Sequence, residues 1–326
     1  MHPRQIERLA EGVLTGRSVA ADEALALLLT PDEALPALLG AADRLRRRWR
    51  GAGVALCAIC NARSGRCDQD CAFCAQSARH DTDAPVYSFI ADDAIRDAAW
   101  RAKQAGARNF SIVTAGKRLN EADRQRAVRA VATIREIGLR PCASLGILSA
   151  DELRELRDAG LSRYHHNLET GRSFYGEICT TRSFDDNVVV LRDAREAGLE
   201  VCSGALLGLG ETPAQRVELL LELRELGVDS VPVNFLIPIP GTPLADRREL
   251  TPSDCLRFLV AARFVLPDRH ILVAGGRRDN LRRLESMIFR AGASGLMVGD
   301  LLTTAGPPAD EDRRMIADLG LPLVKD

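Results

Sequence analysis

From residue 53 onward the chain alternates short apolar runs with amphipathic stretches of helical length, and those stretches repeatedly stop at a glycine: Gly106, Gly138, Gly160, Gly198 and Gly227. A glycine just past the last apolar position closes a helix through a left-handed conformation that other residues resist. The rhythm predicts strands near residues 55–61, 109–114, 140–145, 163–168, 200–206, 230–236, 270–274 and 295–298. Helices are predicted between them at 92–105, 121–137, 150–159, 184–197, 213–226, 252–265 and 280–291. Strand and helix alternating in this way imply a parallel sheet, and the expected α/β fold is a (β/α)8 TIM-type barrel with an N-terminal helical extension. A doubly wound open sheet competes with it. The barrel is favoured because polar residues fall at the ends of nearly every predicted strand, and a closed ring gathers such ends at one mouth.

Residues 1–52 lack that rhythm and form the expected extension, with 53–326 as the barrel. Ile6, Leu9, Ala10, Val13 and Leu14 recur at helical spacing, and 21–29 and 33–49 repeat it around Thr30-Pro31-Asp32-Glu33, a stop followed by a restart. The basic run from Arg44 to Arg50 suits a solvated helix face and its positive-tolerant C-terminal end better than a polyanion patch. Lys plus Arg number 44 and Asp plus Glu 45, so no electrostatic footprint for nucleic acid exists, and 4% aromatic residues leave little for bases to stack on. No apolar run reaches membrane-span length and Met1 to Glu7 lack a signal-peptide core, so a cytoplasmic protein without membrane contact is expected. Nine cysteines in a reducing compartment are then expected as metal ligands or core residues rather than disulfides.

Three of those cysteines follow the first predicted strand, in Cys67-Asp68-Gln69-Asp70-Cys71-Ala72-Phe73-Cys74. Three thiolates this close can hold three irons of a 4Fe-4S cube, and no fourth cysteine follows at the spacing that ferredoxins use, which leaves one iron open. A structural zinc site competes, but it normally takes four ligands from paired CxxC-type units. The spacing, with Phe73 just before the last cysteine, resembles that of the radical S-adenosylmethionine (SAM) enzymes. The resemblance implies that the open iron takes the amino and carboxylate groups of SAM, and that reductive cleavage releases a 5'-deoxyadenosyl radical.

Other polar residues collect at predicted strand ends. The second strand carries Ser111, the third Cys142 and Ser144, the fifth Cys202 and Ser203, and the sixth Asn234. On the fourth, alternation puts His165, Asn167 and Glu169 on one face, an arrangement that is costly unless they meet a ligand or each other. Gly275-Gly276-Arg277-Arg278 follows the seventh strand and Gly299-Asp300-Leu301-Leu302-Thr303-Thr304 the eighth. Singly, a buried cysteine is more often a small core residue, and a lone inward histidine a satisfied one.

Taken together, these blocks resemble the biotin synthases. The likeness runs from Asn61-Ala62-Arg63-Ser64-Gly65 through Cys74-Ala75-Gln76-Ser77-Ala78 and Arg163-Tyr164-His165-His166-Asn167-Leu168-Glu169-Thr170. It continues in Thr180-Thr181-Arg182, Val201-Cys202-Ser203-Gly204, Val231-Pro232-Val233-Asn234-Phe235 and Gly241-Thr242-Pro243-Leu244, and reaches the 299–304 block. The resemblance implies a homodimeric enzyme that inserts sulfur into dethiobiotin, with electrons from a ferredoxin or flavodoxin and sulfur from an auxiliary iron-sulfur cluster. It further implies that Cys67, Cys71 and Cys74 hold the SAM cluster, that Phe73, Asn167 and Glu169 bind SAM, and that Asn234 and His165 meet the substrate. Cys142, Cys202 and Arg277 correspond to three of the four familiar auxiliary ligands, and the two cysteines, as ligands of the sulfur-donating cluster, are the expected catalytic residues.

The remaining auxiliary cysteine does not match: Ser111 stands in its place, and a hydroxyl is a poor substitute for a thiolate on such a cluster. The neighbouring first strand instead contains Cys57 and Cys60, which point to opposite faces of a regular strand, so only one faces the interior. Cys57 is the expected replacement, with a fourth ligand from Cys60 or Arg277. His165, Glu169 and Arg278 are further departures. They resemble a variant type whose auxiliary cluster differs from the usual 2Fe-2S form. Cys179 and Cys255 are expected to be structural. Two other readings stay open: a related radical SAM enzyme of the hydrogenase-cofactor maturase or methylornithine synthase kind, and a non-catalytic iron-sulfur electron carrier or redox sensor.

Overall fold

The structure is a computed structural model that describes residues 1–324. Three helices open the chain: α1 (Pro3–Leu14), α2 (Ala21–Leu28) and α3 (Leu35–Arg50), the last ended by Gly51 at φ 70°. The basic run does not lie wholly in solvent as expected. Arg46 is buried against Asp43 and donates to the carbonyls of Gly51 and Ala52, so it closes the end of α3 from inside.

The barrel then runs through β1 (Ala55–Arg63), α4 (Asp92–Gln104), β2 (Asn109–Thr114), α5 (Glu121–Glu136), β3 (Arg140–Ser144), α6 (Ala150–Asp158) and β4 (Arg163–His165). It continues with α7 (Arg172–Ile178), α8 (Phe184–Glu196), β5 (Glu200–Cys202), β6 (Ala205–Leu207), α9 (Pro213–Glu225), β7 (Ser230–Phe235) and α10 (Pro252–Val265). The chain ends with β8 (His270–Val273), α11 (Arg277–Leu281), β9 (Gly295–Met297) and α12 (Ala309–Asp318). All pairings between named strands are parallel, and the order β5-β4-β3-β2-β1-β9-β8-β7-β6 closes on itself because β5 also meets β7. β5 and β6 are one barrel strand broken at Ser203-Gly204. There the backbone presses on Pro232, and a Cβ on Gly204 would stand 1.9 Å from the Pro232 carbonyl oxygen.

Four details differ from the sequence expectation. The fourth strand ends at His165, and its continuation through Glu169 is a loop bonded to Gly204 and Leu206. The helix expected at 280–291 is the short α11 and a 3-10 turn over Arg282–Ile288, divided where Arg282 takes a left-handed φ of 53°. The helices α7 and α12 lie in segments that the periodicity left unassigned. The main apolar core lies between the sheet and its helices, whereas inside the ring only Cys57, Leu272 and Ala274, with Met297 against them, form a small separate cluster. Small and polar inward residues therefore leave room inside the barrel.

Candidate active site

That room is a cavity of about 400 Å³ reaching from the loop after β1 down between the strands. Cys67, Cys71, Phe73 and Cys74 line its mouth. Their loop is held by backbone bonds from Cys67 to Gln76 and from Ala78 back to Cys67, and by the Ser77 hydroxyl donating to the Gln69 carbonyl at 2.6 Å. Asp70 ties the loop across the barrel mouth. Burial works against its charge, but hydrogen bonds from Thr180 and Thr181 outweigh that and hold the carboxyl well below the usual range. The Thr180-Thr181-Arg182 block thus anchors the cysteine loop.

Cys179 is not the remote structural thiol expected from the sequence. Its Sγ lies 3.7 Å from Cys71 Sγ, and Arg182 Nη2 lies 3.9 Å from the same Cys71 sulfur. The hydrogen bond between the two thiols lowers the Cys179 pKa and raises that of Cys71, which burial pushes up further against the opposing Arg182 charge. Sequence reasoning missed this contact because nothing in the spacing brings α7's end to the loop after β1.

Beside the mouth, Asn167 Nδ2 donates to Glu169 Oε2 at 3.1 Å, and Asn167 Oδ1 accepts from Gly204 N at 3.0 Å. Burial raises the Glu169 carboxyl to about 7, with Arg182 opposing the shift. His165 faces the cavity with Nδ1 3.3 Å from Cys202 Sγ. Burial, with help from Arg163, lowers its pKa to about 4, so the ring is neutral at pH 7. Asn234 lines the wall between, its Oδ1 accepting from Gly275 N at 2.9 Å and its Nδ2 donating to the Ala205 carbonyl.

At the deep end, Cys57 from β1, Cys142 from β3 and Cys202 from β5 all face the cavity. Burial raises all three thiols, Cys142 to about 12 and Cys202 to about 11. Cys57 Sγ accepts from Asn109 Nδ2 at 3.3 Å. The two candidates for the fourth ligand, Cys60 and Arg277, lie apart from these three cysteines. Cys60 packs against the outer core on the opposite face of β1, as strand alternation requires. Arg277 is buried away from the cavity, bonded to Asp312 Oδ1 and Oδ2 at 2.6 and 2.8 Å and paired with Glu285. The arginine that lines the cavity beside these deep cysteines is Arg163, which shares the inward face of β4 with His165.

Both donor sets fit iron-sulfur clusters. Each is a set of three cysteine thiols, the ligand type that iron-sulfur clusters take, and no three His, Cys, Asp or Glu side chains among the described residues converge on a single metal-ion position. At the deep end, Ser111 Oγ and Asn109 Oδ1 are buried, face the cavity and have no protein partner, which marks a space that a polar group fills.

The Radical SAM superfamily matches residues 62–223, from the end of β1 through α9, and carries the three-cysteine loop. The barrel and that loop define a radical SAM enzyme. The Biotin and Thiamin Synthesis associated domain matches residues 232–322. Among curated proteins, the biotin synthase of Geobacter sulfurreducens is 49% identical over 97% of this chain and 96% of its own length. The biotin synthases of Trichlorobacter lovleyi, 48% identical, and Anaeromyxobacter sp., 50% identical, cover 98% and 94% of this chain and 97% and 86% of their own lengths. The chain belongs to the biotin synthase family. Of solved structures, a methylornithine synthase superposes with a TM-score of 0.85 at 22% identity, each chain covered to 97%. The FeFe-hydrogenase maturase of Carboxydothermus hydrogenoformans gives 0.82 at 15% identity, covering 98% of this chain and 79% of its own. Those two likenesses concern the fold alone, and the relatives in sequence favour biotin synthase over both alternative readings.

Proposed function

We propose that this chain inserts sulfur into dethiobiotin, with a SAM cluster at the cavity mouth and a sulfur-donating auxiliary cluster at its deep end. The observation that carries the reading is one cavity with three cysteines at each end and amide, imidazole and carboxyl groups between them. When bound, the first cluster supplies the electron that cleaves SAM and the second supplies sulfide. Cys67, Cys71 and Cys74 hold the first. Arg182, beside Cys71, is the cation available to the SAM carboxylate. Glu169, steadied by Asn167, accepts from the ribose hydroxyls, and Phe73 packs at the same mouth. Asn234 and neutral His165 orient dethiobiotin, whose urea ring offers both donors and acceptors. Cys57, Cys142 and Cys202 hold the auxiliary cluster, 2Fe-2S or larger. The apolar walls around them keep water and stray reductant from the substrate.

A flavodoxin or ferredoxin is the proposed reductant, a homodimer the proposed assembly and the cytoplasm the proposed location. No single helix among the described residues is long and apolar enough to cross a membrane, which agrees with that location. Residues 1–52 are read as an extension of the barrel of residues 53–326, because α1 to α3 share its core.

Anaerobic incubation of the reconstituted enzyme with SAM, dithionite and dethiobiotin should yield both 5'-deoxyadenosine and biotin by mass spectrometry. 5'-Deoxyadenosine without biotin refutes the substrate or the auxiliary site. Cys57→Ala should lower iron and sulfide content and abolish biotin formation, and full retention of both removes Cys57 from the ligand set.

A further inference from the structure

We propose that Arg163 is the cationic side chain of the auxiliary-cluster site, compensating the negative charge of the thiolates and cluster and donating to it through Nη1. The inference rests on the auxiliary cluster proposed above. Four observations lead to it. Arg163 pairs in register with Cys142 across β3 and β4, so both side chains point into the ring at the same level. It is 6% exposed and lines the cavity with Cys57, Cys142 and Cys202. Its Nε and Nη2 donate to Glu200 Oε2 at 3.1 and 2.8 Å, and Nη1 makes no hydrogen bond among the described residues. Glu200 also accepts from Arg140 at 2.7 Å, so two guanidiniums share one carboxylate and one positive charge is left uncompensated.

The electrostatics agree. At each of the three deep thiols, Arg163 is the largest charge favouring the thiolate, against the burial that opposes it. Three thiolates gathered in a buried site are unstable without such a charge. Arg277, the arginine that the sequence suggests for this role, is occupied by Asp312 and Glu285 outside the cavity. Glu200 therefore acts as the clamp that aims Arg163 and partly neutralises it.

The test uses holoenzyme reconstituted with iron and sulfide, with iron counted per chain and the auxiliary cluster's midpoint potential measured by EPR-monitored redox titration. Circular dichroism and the SAM-cluster signal serve as fold controls. Arg163→Gln should lose the auxiliary iron and sulfide or keep them with a more negative midpoint, because removing a cation disfavours the added electron. Arg163→Lys should hold the midpoint closer to wild type. Glu200→Gln should shift it the opposite way, to more positive potential. Wild-type auxiliary iron and midpoint in Arg163→Gln overturn the proposal. Should Arg163→Gln fail the fold controls, the other two variants decide: an unchanged midpoint in Glu200→Gln overturns it, and a positive shift together with a near-wild-type midpoint in Arg163→Lys supports it. If wild-type protein takes up the iron of one cluster only, the auxiliary-site reading fails and this proposal falls with it.

Discussion

Glu169 combines two costs in one residue: a left-handed φ of 68° and a largely buried carboxyl raised to about 7. A non-glycine residue held there loses on the order of 1 kcal/mol, and its bonds to Gly204 and Leu206 keep it in place. The folded state binds the proton more tightly than the unfolded chain, so this group's stabilising contribution is present below about 4.5 and is lost as pH rises through about 7. Glu169→Gln should therefore raise the melting temperature of cluster-free protein at pH 8 and change it little at pH 4.5, the difference being at most roughly 3 kcal/mol. Equal shifts at both pH values, read by calorimetry, would mean that burial does not bias the protonation of Glu169. The same variant should weaken SAM binding, since an amide accepts poorly from two ribose hydroxyls at once.

At the scale of the element, the break between β5 and β6 controls the site. It lets β5 follow β4 and β6 follow β7, and it places Cys202 just before the bend. Gly204 fits only because no Cβ separates its backbone from Pro232. Gly204→Ala should destabilise the protein by roughly 2–4 kcal/mol through forced displacement of β7. Auxiliary iron should fall with it, because Cys202 would shift. An unchanged melting temperature and iron content would show that the bend absorbs a methyl group. In β1 the element's own periodicity does the sorting, sending Cys57 into the cavity and Cys60 into the helix layer.

Across the whole molecule, α2 and α3 pack on α10 and α2 also on α9, and Leu27, Leu38 and Leu45 are fully buried in the core shared with the barrel. α10 is correspondingly apolar nearly all round, with Phe258, Leu259, Val260, Ala261 and Ala262 buried together. Leu45→Ala should cost about 2–5 kcal/mol, as for other large-to-small core changes. Deleting residues 1–50 should yield aggregating protein, because it bares one face of α10. A soluble truncation with native circular dichroism would mean that the barrel closes its core unaided.

Much of this was written locally. Period-2 and helical patterning with glycine stops placed the eight barrel strands, and spacing alone grouped Cys67, Cys71 and Cys74, because both depend on residues near in sequence. The alternation that puts Cys57 inward is local too. Contacts between distant segments were not legible. Closure of the ring brings Cys179 to Cys71 and sends Arg277 to Asp312, and a break in the fifth strand was needed before Asn167 could bond Gly204. The sequence by itself determined which residues line each strand face and which loop carries the thiolates. Only the tertiary structure decided which arginine stands beside the deep cysteines, because that depends on the relative rotation of strands around a closed ring, a quantity that no single strand encodes.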